Sequence, residues 1–172
     1  IKMLASPESA GKTDFPPGVF EEFDLAEETD AKFAKTYRSV RDRPYGRNQG
    51  NLVFGLITNV TGDGRELKRV LILSDPTGDL GSLAEAECRR VNAALDLAED
   101  LGIPAEFLPV SAGARIDMDS GTENLDWTAS TLKRIIEFTQ RGGELNIIVA
   151  GINVGAQSYW NAEATMLMHT RG

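Results

Sequence analysis

Histidine and cysteine each occur once, as His169 and Cys88, and that scarcity removes several kinds of chemistry at the outset. A single cysteine forms no intramolecular disulfide and no cysteine-based zinc cluster, which fits a reducing, cytoplasmic setting. A single histidine leaves the histidine-rich zinc patterns short of ligands, so no metal is expected. Basic residues are also in deficit. Eighteen Lys and Arg stand against 26 Asp and Glu, for a net charge of −8, so no basic face is expected for a nucleic acid backbone or an anionic membrane. No run of eighteen apolar residues is present, and Ile1-Lys2-Met3-Leu4 lacks the charged-then-apolar plan of a signal peptide. What is present, 172 residues of which 41% are apolar, suffices for one globular domain with a sizeable core.

Residues 1 to 30 combine Pro7, Gly11, Pro16, Pro17 and Gly18 with Glu21, Glu22, Asp24, Glu27 and Glu28; with little periodicity, they read as an acidic linker or an irregular wrap. The missing initiator Met and the finish at Arg171-Gly172 suggest a piece of a longer chain. Further on, the apolar runs Leu52–Ile57 and Arg69–Leu73 flank Thr61-Gly62-Asp63-Gly64, a turn signal, and predict a β-hairpin. Ser82 with Glu85 reads as a capping box for a helix carrying Leu83, Val91, Ala94, Leu95 and Ala98 and ending at Gly102. A strand over Glu106–Val110 leads into the small-residue loop Ser111–Asp117. Asp126 is then placed to cap a helix that stops at Gly142-Gly143. A strand over Leu145–Ala150 opens into Gly151–Ala156, after which a further helix begins. His169, behind Met166-Leu167-Met168, reads as a strand-edge residue with a satisfied ring. This alternation of strands and helices predicts an α/β core with parallel strands and functional loops at strand carboxyl ends.

Two of those loops have chemical content. The amides of Gly155 and Ala156 fall between a strand and a helix, where backbone N–H groups point outward and receive anions. They suit the oxyanion of an enolate, a role that needs no titratable side chain. The same two small residues would equally serve tight helix–strand packing, and both readings stand at this stage. Arg115, among Ser111, Ala112, Gly113 and Ala114, is placed either to bind a phosphate of a CoA-type ligand or to pair with Asp117, Asp119 or Glu123. Cys88 reads as a packed thiol. Trp127, Tyr159 and Trp160 read as packing residues, with Tyr159 and Trp160 also placed to wall an acyl pocket.

Three blocks then resemble one family. Val70-Leu71-Ile72-Leu73-Ser74-Asp75 with Gly81-Ser82, Gly102-Ile103-Pro104 leading to Ser111-Ala112-Gly113-Ala114-Arg115-Ile116, and Val154-Gly155-Ala156-Gln157-Ser158-Tyr159 are similar to the carboxyltransferase domain of biotin-dependent acyl-CoA carboxylases. The layout is nearer to the large single-chain enzymes than to bacterial β-subunits. The resemblance implies a ClpP/crotonase fold of repeated β-β-α units with helices packed on the sheet, residues 31–172 being its N-terminal, acyl-CoA-binding half. It implies that the Gly155 and Ala156 amides hold the acyl-CoA enolate, and that Ser111, Ala112, Gly113, Ala114 and Arg115 line the CoA site. It further implies biotin on a separate carrier domain as carboxyl donor. The implied partners are the biotin carboxylase and carrier domains, a C-terminal carboxyltransferase half, and further copies in a homo-oligomer. Ala112, where many members have Gly, and Gln157–Asn161 depart from the pattern. The competing readings are another crotonase-like acyl-CoA enzyme, such as a hydratase, isomerase or decarboxylase, and a structural module without catalysis.

Overall fold

The computed structural model describes residues 1, 3–6, 15–26, 35–44, 46–118 and 121–171. Its elements, in chain order, are β1 (Gly18–Leu25), β2 (Tyr37–Ser39), β3 (Leu52–Val60), β4 (Glu66–Ser74), α1 (Glu85–Leu101), β5 (Ala105–Leu108), α2 (Glu123–Gln140), β6 (Leu145–Val149), α3 (Ala156–Ala162) and β7 (Met166–His169). They build one mixed sheet in the order β2-β1-β3-β4-β5-β6-β7. The expected hairpin is β3–β4, antiparallel from Leu52↔Ser74 to Val60↔Glu66. From β4 onward the strands are parallel, as the alternation predicts, because each helix carries the chain back before the next strand begins. The β-β-α order occurs once among the described residues, at β3-β4-α1; strand–helix alternation follows it.

Strand β4 lies at the centre of the sheet. Val70, Leu71 and Ile72 are all fully buried, since a central strand covered on both faces needs a continuous apolar run rather than an alternating one. On one face Leu52, Phe54, Ile72, Phe107 and Ile147 pack with Val91, Leu95, Ile135, Phe138 and Trp160 of the three helices. A smaller cluster, Ala5, Ile57 and Leu71, covers part of the other face. Burying a side chain such as Phe107 stabilises the fold by roughly 2–3 kcal/mol.

Several local expectations are corrected. The segment read as linker or irregular chain contains β1, which pairs with β3 from Gly18↔Asn59 to Phe23↔Phe54. Adjacent glutamates mask its apolar Val19, Phe20 and Phe23. The cap of α1 is not Ser82–Glu85: the helix starts two residues later, and Glu87 accepts hydrogen bonds from the Ala84 amide (2.9 Å) and the Asn51 amide (2.7 Å). One buried carboxylate thus caps the helix and ties it to the start of β3. Gly102, at φ 63°, closes α1 as expected. Likewise α2 begins at Glu123, ahead of Asp126, and the Glu123 carboxylate accepts the Gly121 amide (3.0 Å). His169 does lie on the edge strand β7, where all four residues are exposed. Cys88 is buried in α1, and burial pushes its thiol up to about 12, so it is a packed, unreactive group.

Because β5 and β6 are adjacent and parallel, the segments that follow them, 109–118 and 150–155, emerge side by side at the same end of the sheet. That adjacency brings the candidate residues together.

Candidate functional site

Ser111 locks the two loops to each other. It is fully buried, its amide donates to Ile152 O (2.8 Å), and its carbonyl accepts the Val154 amide (3.2 Å). Its hydroxyl then accepts the Gly113 amide (3.1 Å) and so shapes the next turn. Gly113 has φ 90°, and a Cβ there would stand 2.9 Å from Val154 O and 3.3 Å from Gly155 Cα. Only glycine permits both the conformation and the approach. On the opposite side, Leu83 donates to Gly113 O (2.8 Å) and accepts from the Arg115 amide (2.8 Å). In such a parallel bridge, the residue between the two bonded positions turns its own N–H away from the partner strand. The Ala114 amide is therefore directed away from Leu83.

The second loop is held by asparagine. The Asn153 side-chain amide donates to Pro109 O (3.0 Å) and Ile152 O (2.9 Å), and its Oδ1 accepts from Asn161 Nδ2 (3.1 Å). Asn161 Oδ1 in turn accepts from Gln157 Nε2 (2.9 Å). These three side chains were not anticipated. The available signal was amides at 157 and 161, one turn apart, which mark a polar stripe on a helix whose buried residues are Gln157, Trp160 and Asn161. Gly155 carries φ 58° and ψ −130° immediately before α3, a combination that disfavours any side chain. Among the described residues, the amides of Ala114, Gly155 and Ala156 find no acceptor in the protein.

Between the loops lies a cleft of about 450 Å³, lined by Ala112, Gly113, Ala114, Gly155, Ala156, Tyr159 and Trp160 together with Ile116 and the α2 residues Leu125, Thr128, Ala129 and Leu132. Trp160 is buried and donates from Nε1 to Thr128 O (3.0 Å), which joins α3 to α2 behind the cleft. Tyr159 is 67% exposed at its mouth. The candidate residues are thus gathered round one apolar space, except two. Ser111 is a buried linchpin rather than part of the wall. Arg115 faces a neighbouring cleft, where its guanidinium pairs with Asp117 (2.8 Å) and more distantly with Asp79 (3.7 Å). The expected Asp117 pair is therefore present; Asp79 was not foreseen. No carboxylate lines the apolar cleft among the described residues, and no cluster of metal-ligating side chains occurs among them. Among the described residues no helix is long and apolar enough to cross a membrane.

No protein-family model and no curated protein matches the chain. Among solved structures it is similar to transcarboxylase 12S, a hexamer described as a multienzyme core with hydrolysed methylmalonyl-coenzyme A bound. The TM-score is 0.58 and the identity 23%, over 69% of this chain and 22% of that one. At that identity the likeness is one of fold: the chain has a carboxyltransferase-like α/β fold. It spans about a fifth of the length of the protein it matches.

Proposed function

We propose that this chain is the acyl-CoA-binding half of the carboxyltransferase of a biotin-dependent acyl-CoA carboxylase. The observation that carries the reading is the meeting of two loops whose Ala114, Gly155 and Ala156 amides lack acceptors among the described residues, beside an apolar cleft of about 450 Å³. A thioester that exchanges a carboxyl group at its α-carbon passes through an enolate, with charge on the former carbonyl oxygen. Fixed amides stabilise that charge by roughly 3 kcal/mol per donor. Here the donors are held by Ser111, Gly113 and Asn153, so little reorganisation is needed when charge develops. We extend the expected pair, Gly155 and Ala156, to include Ala114, because Leu83 binds the backbone on either side of it and leaves its amide turned away.

The apolar cleft suits the acyl chain, with Tyr159 and Trp160 along it, and Arg115 stands where the loop leaves the cleft for the CoA phosphates. Carboxybiotin, delivered by a separate carrier, supplies the carboxyl group in this reading; this chain's own residues hold the acyl-CoA side. Cytoplasmic residence and assembly with a C-terminal half and further copies belong to the same proposal. Exposed Ile116, Ile152 and Val154 beside the loops are in keeping with such partners. A hydratase reading is less well supported, because no described carboxylate borders the cleft.

Calorimetric titration of an acyl-CoA into the chain tests the proposal. Saturable binding is expected, weakened about tenfold by Arg115→Ala, the size of one charge-assisted contact. A folded chain that binds neither CoA nor acyl-CoA would remove the reading.

A further inference from the structure

We propose that a cleft lined by Arg38, Arg41 and Arg47 is a phosphate-binding site and that, on the acyl-CoA reading above, it receives the nucleotide phosphates of the coenzyme. The composition gives no hint of it. The chain is acidic overall, yet six of its 18 basic residues, Arg38, Arg41, Arg43, Arg47, Arg89 and Arg90, line one space of about 670 Å³. Asp24 is the only carboxylate among the described residues of that lining. The expectation of no basic face is corrected here by folding, which gathers β2, the segment after it and the first turns of α1 around the end of β1.

Arg89 pairs with Glu85 at 3.5 Å within α1, and the other five arginines divide into two sets. Arg90, whose side chain is 4% exposed, holds Asp24 at 2.9 Å, and Arg43 binds both Asp24 and Glu22, the latter at 3.1 Å. These pairs, buried at Asp24 and Arg90 and half-buried at Arg43 and Glu22, fix the floor. Arg38, Arg41 and Arg47 are exposed and make no ion pair with any described residue. Converging guanidinium groups repel one another, so gathering them is unfavourable without an anion. Their planar forks match phosphate oxygens two at a time.

Position connects this cleft to the candidate site. Leu25, Gln49, Arg89 and Arg90 also line an adjoining space of about 610 Å³, whose far wall includes Arg115. A groove therefore runs from Arg115, at the end of the acyl-cleft loop, to the exposed arginines. A ligand with an acyl thioester at one end and several phosphates at the other would span it.

Calorimetry on the 172-residue chain and its R38Q/R41Q/R47Q variant tests this, with coenzyme A, pantetheine and inorganic pyrophosphate as probes. The three side chains make no described ion pair, so the variant is expected to unfold thermally within a few degrees of the parent. The expected result is pyrophosphate and coenzyme A binding weakened at least about tenfold in the variant, with pantetheine binding unchanged. Weakened pyrophosphate binding with unaltered coenzyme A binding would keep the phosphate site and assign it to a free phosphorylated ligand. Binding of pyrophosphate but not of coenzyme A by the parent would sink the acyl-CoA reading while the site stands. If the substitutions change neither coenzyme A nor pyrophosphate binding, or neither probe binds the parent, the phosphate site is overturned.

Discussion

The two clefts are built from opposite materials. The one between the loops is made of small residues, backbone amides and an aromatic wall, and no charged side chain lines it among the described residues. The other is made of arginine side chains around a single carboxylate among the described residues. A backbone site is insensitive to most side-chain changes at the surface but fails when a Cβ shifts a loop. A charge site tolerates backbone adjustment but depends on which ions are paired and on salt. Substitutions that ought to matter in one cleft and not in the other therefore test whether this division is real.

The largest effect is expected at the floor of the arginine cleft. Asp24→Asn leaves the buried Arg90 without its countercharge, and breaking a buried pair in this way costs about 3 kcal/mol or more, measurable by urea unfolding. It also has a pH signature. Burial is the largest single influence on Asp24 and would raise its carboxyl. The Arg43 hydrogen bond, the Leu25 amide and the charges of Arg90 and Arg43 together outweigh burial and hold it below the usual carboxylate range. A depressed folded-state value means that stabilisation is present above the unfolded-state value and is lost as pH falls through the folded one. The parent should therefore lose stability on acidification more steeply than Asp24→Asn. Glu22 is shifted upward, chiefly by burial, so the difference between the two proteins is the quantity to read.

The next effect belongs to the loop cleft. Gly113→Ala places a methyl group 2.9 Å from Val154 O at φ 90°, a strain of roughly 1–3 kcal/mol. We expect a comparable loss of stability together with loss of acyl-CoA binding, since the Ala114 and Ala156 amides can no longer keep their spacing. Full stability and full binding in this variant would show that the loops are not the preorganised frame described above.

The sequence made the loop cleft much more legible than the arginine cleft, for a physical reason. Gly113, Gly155 and Ala156 are special because of local backbone demands, and those demands are written in consecutive residues. The hairpin, α1 and the parallel run from β4 to β6 were legible for the same reason, through periodicity. The arginine cleft joins residues 38–47 to 89 and 90, separated by the hairpin, and its cations are diluted in a composition that is acidic overall. Strand β1 was hidden by Glu21 and Glu22, and the true cap of α1, Glu87, was hidden because it serves Asn51, 36 residues away, as well as its own helix. Asn153, Gln157 and Asn161 are individually ordinary; only their hydrogen-bonded chain gives them a role.

The smallest expected effect on stability distinguishes wall from frame in the loop cleft. Tyr159 is 67% exposed and Trp160 is buried, although both border the same space. Tyr159→Ala removes little packing, so unfolding should move by no more than about 0.5 kcal/mol. If Tyr159 walls an acyl chain, however, affinity for longer acyl-CoA should fall by more than affinity for acetyl-CoA, because each methylene denied its apolar contact forgoes up to about 0.8 kcal/mol. The ratio of the two affinities cancels any general disturbance of the loops. An unchanged ratio with intact binding would leave Tyr159 outside the acyl path and direct the chain along Leu125 and Leu132 instead.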